Sequence, residues 1–167
     1  VFSAVAQESK RQCQAVKINK DAIAVDGQLN ETVWENANWC GDFIQHEPYE
    51  GREPSYPTKF ALAYDEYYLY IAVYAYDNEP EKIIRRLSRR DELDGDLIEV
   101  SLDSYHDLRT SFNFVLQASG VKADNIMSLD GETSDDNWDP IWYGKTTIVD
   151  DGWIAEMKIP YTQLRFD

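Results

Sequence analysis

Residues 130–144, DGETSDDNWDPIWYG, place five carboxylates and two tryptophans within fifteen positions. Asp130, Glu132, Asp135, Asp136 and Asp139 supply hard oxygen ligands at the close spacing calcium accepts, although the run does not match an EF-hand loop. A solvated acidic loop is the alternative for the same residues. Trp138 and Trp142 offer flat rings of the kind on which the C–H face of a pyranose stacks. Arg90, Asp91, Asn113 and Gln117 offer planar hydrogen-bonding groups for its hydroxyls. Trp39, Tyr49, Tyr56 and the tyrosines of 68–76 are further ring candidates, whereas Trp34 and Trp153 occupy core-facing positions. Two readings stand for Trp138 and Trp142: a ligand platform, or a plug at the end of packed sheets.

Catalytic motifs are missing from the chain. It contains no HExxH, no GxSxG, no phosphate-cradling glycine loop and no CxxC pair. His46 and His106, the only histidines, fall in no triad or metal-ligand spacing, and they give no matched axial pair for haem. Pairs of acids suited to glycoside hydrolysis are unavoidable among 31 acidic residues, so their presence decides nothing.

These residues need a scaffold, and the chain is long enough for one domain: 167 residues, 43% of them hydrophobic. The net charge of −15 repels phosphate backbones and anionic lipid surfaces, which excludes nucleic acid as a partner and favours neutral or cationic ones. No stretch approaches the roughly eighteen apolar residues of a membrane helix, so the domain itself is not membrane-inserted as a helix.

Period-two alternation sets the fold class. In YLYIAVYAY (68–76), Leu69, Ile71, Val73 and Ala75 point one way and the tyrosines the other. Ile98, Val100 and Leu102 repeat the pattern, as do Phe112, Phe114 and Leu116, and then Trp153, Ala155, Met157 and Ile159. Turn signals at Asp94-Gly95, Ser119-Gly120, Asp130-Gly131 and Asp151-Gly152 separate these runs. The expectation is an all-β, antiparallel β-sandwich with one short N-terminal helix over 30–38, capped by Asn30 and burying Val33, Trp34 and Ala37 on one face. Residues 79–92, which carry Arg85, Arg86, Arg89 and Arg90, read as a short basic helix or a loop.

Val1 to Ala6 end in the small-x-small pattern of signal-peptide cleavage, with Gln7 as the first mature residue. We therefore divide the chain into a signal-peptide remnant (1–6), an extended segment (7–22) and a sandwich domain (23–167). In an exported protein, Cys13 and Cys40 can close one disulfide; two unpaired thiols are the alternative.

The segments IAVDGQLNETVWENAN (23–38), TKFALAYDEYYLYIAVYAYD (58–77), RRDELDGDLIEVSLDSYHD (89–107), GVKAD (120–124) and NWDPIWYGKTTIVDDGWIAEMKIPYTQLRF (137–166) resemble the family 9 carbohydrate-binding modules. The likeness extends to the divergent version at the N-terminus of large outer-membrane β-barrel proteins of Bacteroidota-like bacteria. It implies a β-sandwich, sugar-end binding between aromatic rings, and structural calcium in some members. Arg90 and Asp91 match the family's RD step, and Trp138 lies where sugar-binding members supply one stacking ring. Trp39 and Tyr56 compete for the opposing one. The expected function is a non-catalytic domain of an exported protein of the periplasm or cell surface, associated with the outer membrane and binding glycan ends. The alternative is a domain that docks on its own downstream barrel or an envelope partner and binds no sugar.

Overall fold

A computed structural model describes residues 11–166. The proposed signal remnant and Gln7 lie outside the described residues. Among the described residues nine strands form: β1 (Val16–Lys17), β2 (Thr58–Tyr64), β3 (Tyr68–Tyr76), β4 (Leu97–Leu102), β5 (Ser111–Gln117), β6 (Lys122–Ser128), β7 (Thr133–Asp135), β8 (Tyr143–Val149) and β9 (Gly152–Pro160). One sheet runs β1-β2-β3-β9-β8 and the other β4-β5-β6-β7. All pairings are antiparallel except that of β1 with β2. The chain is the all-β sandwich its alternation predicts.

Side chains alternate faces along a strand, so each apolar run commits one face to the space between the sheets. Leu69, Ile71 and Val73 of β3 and Ala155, Met157 and Ile159 of β9 meet Phe112, Phe114 and Leu116 of β5 in one core. Burying each of the larger groups is worth about 1.5–3 kcal/mol. Each turn signal falls at a strand boundary. Gly152 (φ +146°) is indispensable where β9 begins, because a Cβ there would lie 2.1 Å from the Ala75 carbonyl oxygen. Ile98, Val100 and Leu102 point inward but stay only half-buried. The cause is a cavity of about 510 Å³ between them and β2–β3, with Phe43 at its side.

The outer face of the first sheet is also buried. Ala61, Ala63 and Ala72 are small enough to let Trp34 seat against them, and residues 18–39 contribute Ile23, Val25, Leu29 and Trp39 to this second core. Helix α1 (Thr32–Glu35) is a single turn with Glu31 rather than Asn30 at its N-cap position, and that residue makes no side-chain cap. It is shorter than the 30–38 pattern suggests because only Trp34 is fully buried. Tyr70, fully buried on this face, donates its hydroxyl to Asp65 (3.0 Å), which also accepts the N–H groups of Tyr67 and Tyr68. Burial and that carboxylate hold the Tyr70 hydroxyl well above its ordinary pKa.

Glu156 fastens the N-terminal layer down. It is 1% exposed, and its Oε2 accepts the backbone N–H groups of Asp26 (3.1 Å) and Gly27 (2.8 Å) while Oε1 accepts Trp34 Nε1 (3.1 Å). Cys13 and Cys40 are joined by a disulfide. Closing a loop of 27 residues stabilises by about 3–4 kcal/mol on the chain-entropy account.

Residues 79–92 form only a 3₁₀ turn (Pro80–Lys82) followed by irregular chain. Ile83 is the one buried apolar residue of this stretch, and Leu87 is 85% exposed, so a helix would have no face to bury.

Candidate functional site

The loop bearing Arg90 is tied at both ends. Arg85 and Gly95 form a β-bridge, and Ile84 donates its N–H to Asp96 Oδ2 (2.7 Å). Arg86 pairs with Asp94 (3.1 Å) within the loop. Its tip docks on β6, where Asp91 N–H donates to the Lys122 carbonyl (3.1 Å) and Asp91 Oδ1 accepts Asp124 N–H (3.4 Å). Asp91 sits at φ +67°, a conformation in which aspartate is among the tolerated residues.

Arg90 is thereby aimed at Asp124. Its Nη2 donates to Asp124 Oδ2 (2.5 Å) and to the Pro140 carbonyl (3.3 Å), and its Nε stands 2.8 Å from Asp139 Oδ1. Asp124 is buried (3% exposed), and the same Oδ2 accepts Trp142 Nε1 (2.9 Å). A carboxylate removed from water needs such donors, and one guanidinium plus one indole supply them here. Asp124 Oδ1 is buried with no hydrogen-bond partner. About one third of the Arg90 side chain remains exposed, as does rather more of Asp91.

The two tryptophans of the acidic stretch divide. Trp142 is 1% exposed and meets Phe114 edge-on at 5.5 Å, so it has no face to offer a ligand. Its expected ligand role is corrected: the ring fills the sandwich interior and its N–H holds Asp124. Trp138 is half-buried, with Phe112 (5.2 Å) and Phe114 (5.4 Å) edge-on to it. Its exposed part lies next in sequence to Asp139, the Arg90 partner.

The remaining candidates do not join this group. Asn113 and Gln117 are 0% and 1% exposed, on the face of β5 opposite Phe112 and Phe114. Asn113 donates to Asn125 (2.7 Å), and Gln117 accepts from Ser119 (3.2 Å). Strand alternation separates them from Asp124, which registers with Phe114. Trp39 belongs to the outer-face core and donates to the Trp34 carbonyl (2.9 Å). The first sheet therefore stands between Trp39 and Trp138. Tyr56, 38% exposed, stands in the connection before β2. Among the described residues, the rings nearest Trp138 are the two phenylalanines beneath it.

The acids of 130–139 are dispersed rather than convergent. Asp130 pairs with Arg109 (3.3 Å), Asp135 accepts Asn137 N–H (3.1 Å), Asp136 accepts Ser134 Oγ (2.5 Å), and Asp139 pairs with Arg90. Strand β7 runs through the middle of the stretch, and Glu132 is exposed. Among the described residues, no three acids, histidines or cysteines come together as a cation cage. This donor set does not fit calcium.

Lys122, Asp124 and Pro140 complete the network, and the sequence reading assigned a role to none of them. No signal within the β6 sequence marks Asp124; its register with Phe114 is what places it on an inward face.

A family model described as "Carbohydrate family 9 binding domain-like" matches residues 25–166. No curated protein matches the chain. Among solved structures, a family 9 carbohydrate-binding module from Caldicellulosiruptor kristjanssonii in complex with glucose superposes with a TM-score of 0.61 at 19% identity, covering 88% of this chain and 69% of that one. The same kind of module in complex with cellotriose gives 0.60 at 18% identity, covering 88% and 67%. A protein from Bacteroides uniformis, proposed to bind carbohydrate, gives 0.66 at 10% identity, covering 89% and 72%. At these identities the likeness is one of fold.

Proposed function

The chain belongs to the carbohydrate family 9 binding domain-like family, a non-catalytic, carbohydrate-binding type of domain, and from that premise we propose that it holds a glycan end beside Arg90 and Trp138. Arg90 carries the reading. Three anchors (Asp124, Pro140 and Asp139) fix its guanidinium while about a third of the side chain stays exposed. A donor held in place loses little rotamer freedom when a hydroxyl arrives. Asp91 and Asp139 supply acceptors beside it, and the exposed part of Trp138 supplies a surface for one sugar face. Glucose and cellotriose, the ligands in the two Caldicellulosiruptor structures, are the first sugars to try.

We place the domain in an exported, outer-membrane-associated protein. The Cys13–Cys40 disulfide supports an oxidising compartment.

A neutral-glycan array followed by calorimetric titration of the wild type and Arg90→Lys tests the reading. Lysine keeps a charge near Asp124 but loses the planar fork. We expect affinity to fall at least about tenfold, with the circular dichroism spectrum unchanged. Full affinity in the variant, or a wild type that binds nothing on the array, overturns it.

A further inference from the structure

A second cavity, of about 410 Å³, opens beside β8, and its walls carry Lys122, Lys145, Lys158 and Tyr143. Residues 23–25 of the N-terminal layer close its remaining side. Its volume lies within the roughly 300–1,000 Å³ of small-ligand sites. Topology makes the cluster: Tyr143 registers with Lys158 across β8 and β9, and Lys145 lies two residues along the same face. Lys122 enters from the start of β6.

The concentration of positive charge runs against the composition, since acids outnumber bases 31 to 16. Even so, among the described residues none of the three ammonium groups is within salt-bridge distance of a carboxylate. Lys122 Nζ donates to the Trp142 carbonyl (2.9 Å) and stands 4.9 Å from the Trp142 ring centre. Lys158 Nζ lies 4.0 Å from the Tyr68 ring centre. Glu156 is opposite Lys145 in register, but its two oxygens are occupied by Asp26, Gly27 and Trp34. Burial first, and then the neighbouring Arg90 guanidinium, hold the Lys122 pKa below the ordinary lysine value against the opposing pull of Asp124.

We propose that this cavity binds a single sugar unit carrying an anionic substituent, a uronate carboxylate or a sulfate ester. The lysines supply charge-assisted donors for the anion. The Tyr143 ring, 51% exposed on the same strand face as Lys145, supplies a surface for the sugar. The −15 net charge repels a long polyanion, while screening over about 8 Å at physiological salt leaves the lysines effective at short range. The site therefore suits one acidic residue at a chain end. The choice of a sugar as carrier of the anion rests on the glycan-binding reading of the domain; the site shares none of that reading's contact residues.

The test is calorimetric titration at low salt with a glucuronate-containing disaccharide, a sulfated disaccharide, a neutral disaccharide and sodium sulfate. The proteins are the wild type, Lys145→Gln/Lys158→Gln and Tyr143→Ala. We expect at least one acidic disaccharide to bind, and the one that does identifies the anion. The double variant should weaken it at least about tenfold, the loss expected from removing charged donors. Tyr143→Ala should weaken the disaccharide more than it weakens sulfate, and added sodium chloride should lower the affinity. Neutral-glycan binding should survive in the double variant, which separates this site from the one at Arg90. Unchanged affinity in the double variant, sulfate binding as tightly as either disaccharide, or no acidic disaccharide binding at all overturns the proposal.

Discussion

Glu156 sets the pH dependence of folding in a way that one substitution can expose. Burial, with Glu31 adding to it, raises its pKa from 4.5 to about 7, against the opposing pull of the Gly27, Trp34 and Asp26 N–H donors. The folded state thus holds this proton more tightly than the unfolded chain does. The sign follows from linkage: the contribution is fully present below pH 4.5 and is lost as pH rises through 7. The rise is worth about 3 kcal/mol between the two protonation states. Glu156→Gln removes the titration but not the geometry. With one oxygen instead of two, the amide must turn its NH₂ toward either the Trp34 N–H or the Asp26 and Gly27 N–H groups, at a pH-independent cost of about 1–3 kcal/mol. Urea unfolding followed by tryptophan fluorescence, from pH 4.5 to 8, should show the variant less stable at the acid end. The gap should close by about 3 kcal/mol toward pH 8, so that the two curves meet or cross. Other carboxylates titrate alike in both proteins and cancel in the difference. A constant gap would mean that Glu156 does not titrate in this range. A gap widening with pH would mean that the three donors outweigh desolvation, and either result refutes the argument.

Gly27 lies at φ +86°, and a Cβ there would stand 2.7 Å from Thr147 Oγ1. Gly27→Ala should cost about 1–3 kcal/mol in the same unfolding assay, and adding Thr147→Ala should return the steric part but not the backbone part. Oxidised protein should show no free thiol on denaturing alkylation, and reduction should lower stability by up to about 3–4 kcal/mol. Asp124→Asn leaves Arg90 without its buried counter-charge and should cost about 3–5 kcal/mol by urea unfolding.

The strands were legible because their cause is local. Leu69, Ile71 and Val73 show their commitment to one face within a single run of sequence, and so do Phe112, Phe114 and Leu116. Whether Trp138 and Trp142 plug or bind was not legible, because the answer lies in rings of β5 more than twenty positions earlier. Alternation also misleads about β9. It assigns Trp153, Ala155, Met157 and Ile159 to the core and leaves Glu156 on the solvent side, yet that second face is covered by residues 18–39. Ile154 and Tyr70 on the nominally outer face are the trace of that cover, since a solvated face has no need of either.

The polar network at Arg90 was half-legible for a related reason. The RD step was visible in the sequence, but its partner Asp124 belongs to a strand whose faces are both mixed: Lys122, Asp124 and Ile126 on one, Ala123, Asn125 and Met127 on the other. A period-two reading finds no apolar face in such a strand and so cannot say which charge is buried. What decides it is long-range. The loop 86–94 crosses to the first part of β6, which β7 leaves unpaired, and Trp142 arrives from the other sheet, so that a guanidinium and an indole N–H reach the same carboxylate oxygen. Each of those donors is unremarkable in its own segment. Only their meeting makes Asp124 tolerable in the interior, and the same meeting holds Arg90 in place with about a third of its side chain exposed. The structural role and the proposed binding role are therefore coupled: the anchoring that keeps a buried carboxylate from costing stability is also what orders the exposed donor in advance of any ligand.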